Sequence, residues 1–260
     1  DSSGFYFKKK LAKSFALEPG NFILGNGSDE IIDILVKTFV EDDETILTSD
    51  STFLEYEIIS KVNNRKVLTV PLKYFKYDLI SLRKKVDSKT KLIFIANPNN
   101  PTGSYVTKYE LKDFMEDLPE GVILVIDEAY DLFVDVDDFP KSLTYINNRN
   151  VNVIVMKTFS KAYGLAGLRI GYAIAKKEFV LAMEKVRQPF NMNILAQAAG
   201  LAALDDKKFL DKTKEVILEG KNYLYDALKN SGIAFVPSVA NFILVDVARD
   251  GAGVFKEMLK

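Results

Sequence analysis

One stretch of this sequence gathers groups suited to a phosphorylated molecule. Residues 153–171 read VIVMKTFSKAYGLAGLRIG: an apolar run ends in Thr158, Ser160 and Lys161, and Arg169 follows eight positions after the lysine. An arginine grips phosphate oxygens with a fork of N–H groups, and hydroxyls and backbone N–H groups add hydrogen bonds. The lysine is then free for covalent work as an imine. A single lysine is usually one solvated side chain among many. Two hydroxyls and an arginine in this local order weaken that bland reading.

Four further motifs offer partners. In VILVIDEAY (122–130) an apolar strand delivers Asp127 to its end. A carboxylate placed there is partly desolvated and needs a cation or a hydrogen-bond donor to stay ionised. A pyridinium nitrogen would serve, and so would a role as cap of the next helix. In IFIANPNNPTG (93–103) two Asn-Pro steps and a Pro-Thr-Gly turn stiffen the loop and aim the amides of Asn97 and Asn100. In GNGSDE (25–30) glycines precede Ser28 and Asp29 at a helix start, where free N–H groups face an anion. Simple capping by Ser28 explains that motif at least as well when it stands alone. In STFLEY (51–56) Phe53 either stacks on a planar ring or belongs to the core.

Such groups need a scaffold that brings strand ends together. Short apolar runs at 45–48, 67–70, 92–96, 122–126, 152–156 and 170–174 read as strands. Several are near-continuous aliphatic runs, the pattern of strands buried on both faces. Amphipathic stretches at 29–40, 54–62, 79–86, 108–117 and 178–187 read as helices between them. Alternating strand and helix predicts an α/β fold, a mainly parallel sheet flanked by helices. Ligands of such sheets bind beyond the carboxyl ends of the strands, where the five motifs fall. From about residue 205 the texture changes. Residues 207–228 read as one long charged helix, 235–247 as a strand pair or a bent strand around Pro237, and 254–260 as the start of another helix. The expected division is a large domain over 1–210 and part of a smaller C-terminal α+β domain over 211–260.

Composition narrows the chemistry. The 260 residues contain no Cys and no His, which excludes a thiolate nucleophile, a Ser-His-Asp triad and Cys- or His-ligated metal. With 35 basic and 36 acidic residues, the net charge of −1 gives no reason to expect nucleic acid or an anionic membrane as partner. No apolar run approaches the roughly 20 residues of a membrane span. Residues 1–10 are polar and do not read as a signal peptide, so a cytoplasmic enzyme is expected. The chain opens without Met and closes inside a helical pattern, so a fragment trimmed at both ends is expected.

Taken together, GNGSDEIID, STFLEY, NPNNPTG, VIDEAY, TFSKAYGLAGLRIGY, VRQPFNMN and PSVANFILV resemble the fold-type I pyridoxal-phosphate enzymes of aminotransferase class II, and within them the histidinol-phosphate aminotransferases. The resemblance spans nearly the whole chain. It implies pyridoxal 5'-phosphate as cofactor, with Lys161 as its covalent anchor and the base that moves the substrate proton. Asp127 would pair with the ring nitrogen. Asn100 and Tyr130 would bond the ring's phenolic oxygen, and Phe53 would stack on its face. Ser28 and Asp29 (through backbone N–H), Thr158, Ser160 and Arg169 would hold the phosphate. Asn191 and Asn241 lie in segments that approach the site in this family and receive no role. Ser51 stands where the family usually has Pro, which alters local stiffness more than chemistry.

The implied reaction converts histidinol phosphate and 2-oxoglutarate to imidazole-acetol phosphate and glutamate, in histidine biosynthesis. Homodimerisation is implied too. A tyrosine arm reaching the partner subunit would precede Asp1, and arginines for the substrate's carboxylate or phosphate would follow Lys260. Related enzymes acting on aromatic amino acids or decarboxylating threonine phosphate share the motifs. A non-catalytic α/β module for phosphorylated ligands would keep Arg169 and GNGSDE but has no use for Lys161, Asp127, Asn100 and Tyr130 together. A dinucleotide-binding dehydrogenase is set aside because no G-x-G-x-x-G follows a strand.

Overall fold

The apolar runs assemble into one sheet, joined by a strand that the sequence pattern concealed. The structure, a computed structural model, describes residues 2–148 and 150–260. Its elements are α1 (Phe5–Phe15), β1 (Phe22–Asn26), α2 (Ser28–Phe39), β2 (Thr45–Ser49), α3 (Glu55–Val62), β3 (Lys66–Val70), α4 (Leu79–Lys85), β4 (Thr90–Ala96), α5 (Lys108–Glu116), β5 (Ile123–Asp127) and β6 (Asn152–Thr158). Then come β7 (Ile170–Ile174), α6 (Lys177–Glu184), α7 (Ile194–Ala203), α8 (Lys207–Asn230), β8 (Ala234–Val236), β9 (Leu244–Asp246) and α9 (Gly251–Met258).

The large sheet has the order β1-β7-β6-β5-β4-β2-β3. Strands β3, β2, β4, β5 and β6 pair in parallel. β7 runs antiparallel to both its neighbours, β6 and β1. The mainly parallel α/β sheet therefore holds, with one reversed strand. The cause is the connection: only residues 159–169 join β6 to β7, and a parallel return needs a crossover of about a dozen or more residues, usually a helix.

The core forms where the strands are covered. Every residue of β2, β5 and β7 is buried, as expected for strands packed on both faces. α2 buries Ile31, Ile32, Leu35 and Val36, the stripe of an amphipathic helix, against the sheet. The expected helices and strands are present with small shifts at their ends. α1, β1 and α7 are additions. α1 buries Phe7, Leu11 and Ala12, but the lysines between them make the segment look merely polar.

α8 carries Leu210 and Ile217 against a small cluster that includes Tyr130, Phe133 and Ala240. β8 and β9 form a separate antiparallel pair on either side of Pro237. Asp211, where the expected domain division falls, lies inside α8.

Candidate active site

The carboxyl ends of four strands converge on one cavity. Phe53 lies after β2, just before α3. Asn100 lies in the loop after β4, Asp127 ends β5 with Tyr130 three residues on, and Thr158 ends β6 ahead of Ser160 and Lys161. Ser28 and Asp29 open α2, and Arg169 directly precedes β7. All ten predicted residues line this cavity.

At one side stand the groups suited to an anion. Ser28 and Asp29 occupy the first two positions of α2, whose N–H groups have no acceptor within the helix. The cap is Gly27 at φ 83, which contributes no side chain. Arg169 folds over it in a left-handed conformation, φ 56. Gly171 lets the backbones meet: a Cβ there would lie 2.3 Å from both the Gly27 carbonyl carbon and the Ser28 nitrogen. The Thr158 hydroxyl donates to the Ile170 carbonyl at 3.1 Å and accepts from the Ser160 N–H at 3.1 Å. It ties the turn together while bordering the cavity.

On β5, Asp127 is a buried carboxylate with two donors. The Tyr56 hydroxyl donates to its Oδ2 at 2.7 Å and the Ala129 N–H to its Oδ1 at 3.1 Å. Burial outweighs these bonds and pushes its pKa up to about 6. The negative charge of Asp29 adds to the rise, and the Lys161 ammonium opposes it. Lys161 Nζ stands 5.2 Å from the centre of the Tyr130 ring. The Asn100 amide donates to the Tyr130 hydroxyl at 3.5 Å. Phe53 meets Tyr56 edge to face at 5.5 Å.

A family model described as aminotransferase class I and II matches residues 6–259. The chain belongs to this family of aminotransferases. It is 42% identical to the histidinol-phosphate aminotransferase of Moorella thermoacetica, over all of this chain and 67% of that one. It is 40% identical to histidinol-phosphate aminotransferase 2 of Carboxydothermus hydrogenoformans, over 72% of that chain. Among solved structures, the histidinol-phosphate aminotransferase of Sinorhizobium meliloti in complex with pyridoxal-5'-phosphate superposes with a TM-score of 0.90. The identity there is 32%, covering 97% of this chain and 68% of that one.

The geometry of this aminotransferase corrects one expectation. The Asn97 amide is not aimed at the cavity. It is buried, donating to the Val106 carbonyl and accepting from the Val106 N–H, so it staples the loop from within. Asn191 is likewise engaged, donating to the Leu24 carbonyl and to Glu30, while Asn241 is exposed.

Two features of the site escaped the motif reading. The first is Tyr56, fully buried, stacked on Phe94 at 4.8 Å and bonded to Asp127. Burial, then the Asp127 charge, raises its pKa and keeps the phenol a donor. Its signal was its spacing: a residue three after Phe53, where the chain enters a helix, is turned back toward it, and the Tyr56 N–H donates to the Phe53 carbonyl at 3.3 Å. The second is a charge cluster behind the site. Lys157 bonds Glu128 at 2.7 Å and also Asp131, with only 9% of its side chain exposed. Burial favours a neutral Lys157, but the Asp131 and Glu128 charges prevail and raise its pKa. A lysine inside the apolar run of β6 was the clue, since such a charge needs partners.

The C-terminal segment closes on the same loops. The Val239 N–H donates to the Gly103 carbonyl at 2.9 Å, and Phe242 meets Tyr130 edge to face at 5.1 Å. Gly103 has φ 70, and a Cβ there would lie 2.0 Å from the Ser238 Oγ, so only glycine permits this docking.

Proposed function

We propose that this aminotransferase works with pyridoxal 5'-phosphate and exchanges the amino group between histidinol phosphate and 2-oxoglutarate. The products are imidazole-acetol phosphate and glutamate. One observation carries the cofactor reading: a single cavity holds an amine, a buried acid and an anion cradle, in Lys161, Asp127 and Ser28–Ser160–Arg169. The donor set fits the cofactor. Asp127, pushed up to about 6 by burial, forms no ion pair among the described residues, and a protonated ring nitrogen would supply one. The close backbone approach at Gly171, where a Cβ would strike Gly27 and Ser28, sets the start of α2 beside β7 and so shapes the cradle. The substrate reading rests on similarity to the enzymes named above, 42% and 40% identical.

When bound, the cofactor supplies an electrophilic carbonyl and an electron-withdrawing ring. The protein does the rest. Asp127 holds the ring nitrogen's proton in place. Tyr130 and Asn100 donate to the ring's phenolic oxygen, and Phe53 covers a ring face. Lys161 Nζ would anchor the cofactor through its carbonyl carbon and, once the substrate amine has displaced it, would take and return the proton of the substrate's amine-bearing carbon. Arg169, Ser28, Asp29, Thr158 and Ser160 hold the phosphate through side-chain and backbone donors.

The remaining readings are finer. We assign residues 1–210 to a large cofactor domain and 211–260 to part of a small one. A homodimer would cover Phe5, Tyr6, Phe190, Ile194 and Leu195, all exposed apolar side chains. The cytoplasm is the assigned compartment; among the described residues no helix is long and apolar enough to cross a membrane.

The test is incubation of the full-length protein with pyridoxal phosphate, borohydride reduction and peptide mapping. Label on Lys161 that is lost in Lys161→Ala supports the cofactor reading, and its absence from folded protein overturns it. Turnover of histidinol phosphate ahead of aromatic amino acids supports the substrate, and the reverse order overturns it.

A further inference from the structure

The anion cradle contains an acid. Arg169 Nη2 donates to Asp29 Oδ2 at 2.7 Å, and both side chains keep about two-fifths of their surface exposed. The guanidinium reaches Asp29 across Gly27, where a Cβ would lie 2.4 Å from Nη2. Asp29 is the second residue of α2, and its carboxylate could have bonded the helix's own free N–H groups. It turns to Arg169 instead, and the helix has no side-chain cap. The other terminal nitrogen, Nη1, makes only a long 3.3 Å bond to the Ala166 carbonyl.

A phosphate held by Ser28, Ser160 and Arg169 would therefore share its arginine with a carboxylate. It would also sit beside a charge of its own sign. Asp29 reaches across the cavity in the same way, contributing to the raised pKa of Asp127. We infer that Asp29 competes with the bound phosphate for Arg169 and thereby sets how tightly the cofactor is held. This rests on the cofactor reading above and goes beyond it, because Asp29 there serves only through its backbone N–H. The competition keeps the guanidinium paired and oriented whichever anion it holds. It also lowers the affinity for any phosphate monoester that enters the cradle.

The size of the effect follows from exposure. Half-exposed ion pairs are worth about 0.2–1 kcal/mol, so releasing Arg169 from Asp29 should tighten phosphate binding about 1.4- to five-fold. The experiment titrates inorganic phosphate calorimetrically into full-length protein stripped of cofactor. Wild type, Asp29→Asn, Asp29→Ser, Arg169→Gln and the Asp29→Asn/Arg169→Gln double variant complete the cycle. The expected result is a gain of about 1.4- to five-fold in both Asp29 variants that disappears when Arg169 is Gln. Unchanged or weaker binding in the Asp29 variants overturns the inference, since Asp29 would then be a buttress for Arg169. An equal gain in both Arg169 backgrounds also overturns it, because Asp29 would act through general charge alone. Absence of phosphate binding in every variant overturns it as well. In that case Lys161 labelling by pyridoxal phosphate still decides the cofactor reading separately.

Discussion

Replacing Asp127 with Asn should make the cofactor-free protein more stable at neutral pH while removing the counter-charge proposed for the ring nitrogen. Asp127 is 4% exposed, and its pKa stands at about 6 against an ordinary 3.8. A carboxyl whose pKa is raised by folding favours the folded state below pH 3.8, where it is protonated in both states. That contribution is lost as pH rises from 3.8 through about 6, because the folded protein must then bury a charge that the unfolded chain leaves in water. At about 1.4 kcal/mol per pH unit, the gap amounts to about 3 kcal/mol. Asn keeps the shape and carries no charge: its Oδ1 can accept from the Ala129 N–H while its amide donates to the Tyr56 hydroxyl oxygen. The assay is urea denaturation of both cofactor-stripped proteins between pH 4 and 8. The stability difference between them should open in favour of Asp127→Asn by about 3 kcal/mol across that range. Parallel curves would refute the claim that burial of Asp127 opposes its charge. Cofactor should then stabilise wild type more than the variant, since only wild type offers the ring nitrogen a counter-charge.

Tyr56→Phe removes one of two donors that favour the ionised carboxylate, so the Asp127 pKa should climb further above about 6. Carboxyl-carbon NMR titration reads it, and an unmoved value would contradict the assigned role. Lys157→Met leaves the buried Glu128 and the half-buried Asp131 without their shared cation, for a loss of about 3–5 kcal/mol in urea denaturation. A loss under about 1 kcal/mol would mean that water or another group already screens the two acids.

The parallel core was legible because its strands are unbroken aliphatic runs, as in β4 and β5, which only a doubly covered sheet tolerates. The site was legible because the ligand-facing loops begin where those runs stop. β1 was not, since FILG is short and its glycines read as the cap of α2. The reversal of β7 was hidden because strand direction depends on the length of the connection, not on the strand's own residues. Tyr56 and the Lys157 cluster were missed for a shared reason. Their partners lie on other elements, and a side chain's use of Asp127 or Glu128 leaves no local pattern. Asn97 was misread in the opposite sense: an amide beside proline satisfies its own loop as readily as it faces a ligand.

The position of β1 bears on how the protein is made. Among the described residues β1 lies at the edge of the sheet and pairs with β7 alone, with Gly25 opposite Gly171. While the chain is being synthesised, Phe22–Asn26 has no strand to pair with until Ile170–Ile174 emerges. At about 5–20 residues per second, that wait is roughly 7 to 30 s. The two halves of the phosphate cradle meet only at that junction. A nascent chain can therefore lay down β2 through β6 with no ligand to help it. The cofactor rewards only the finished sheet, and its stabilisation arrives after the folding step most exposed to aggregation.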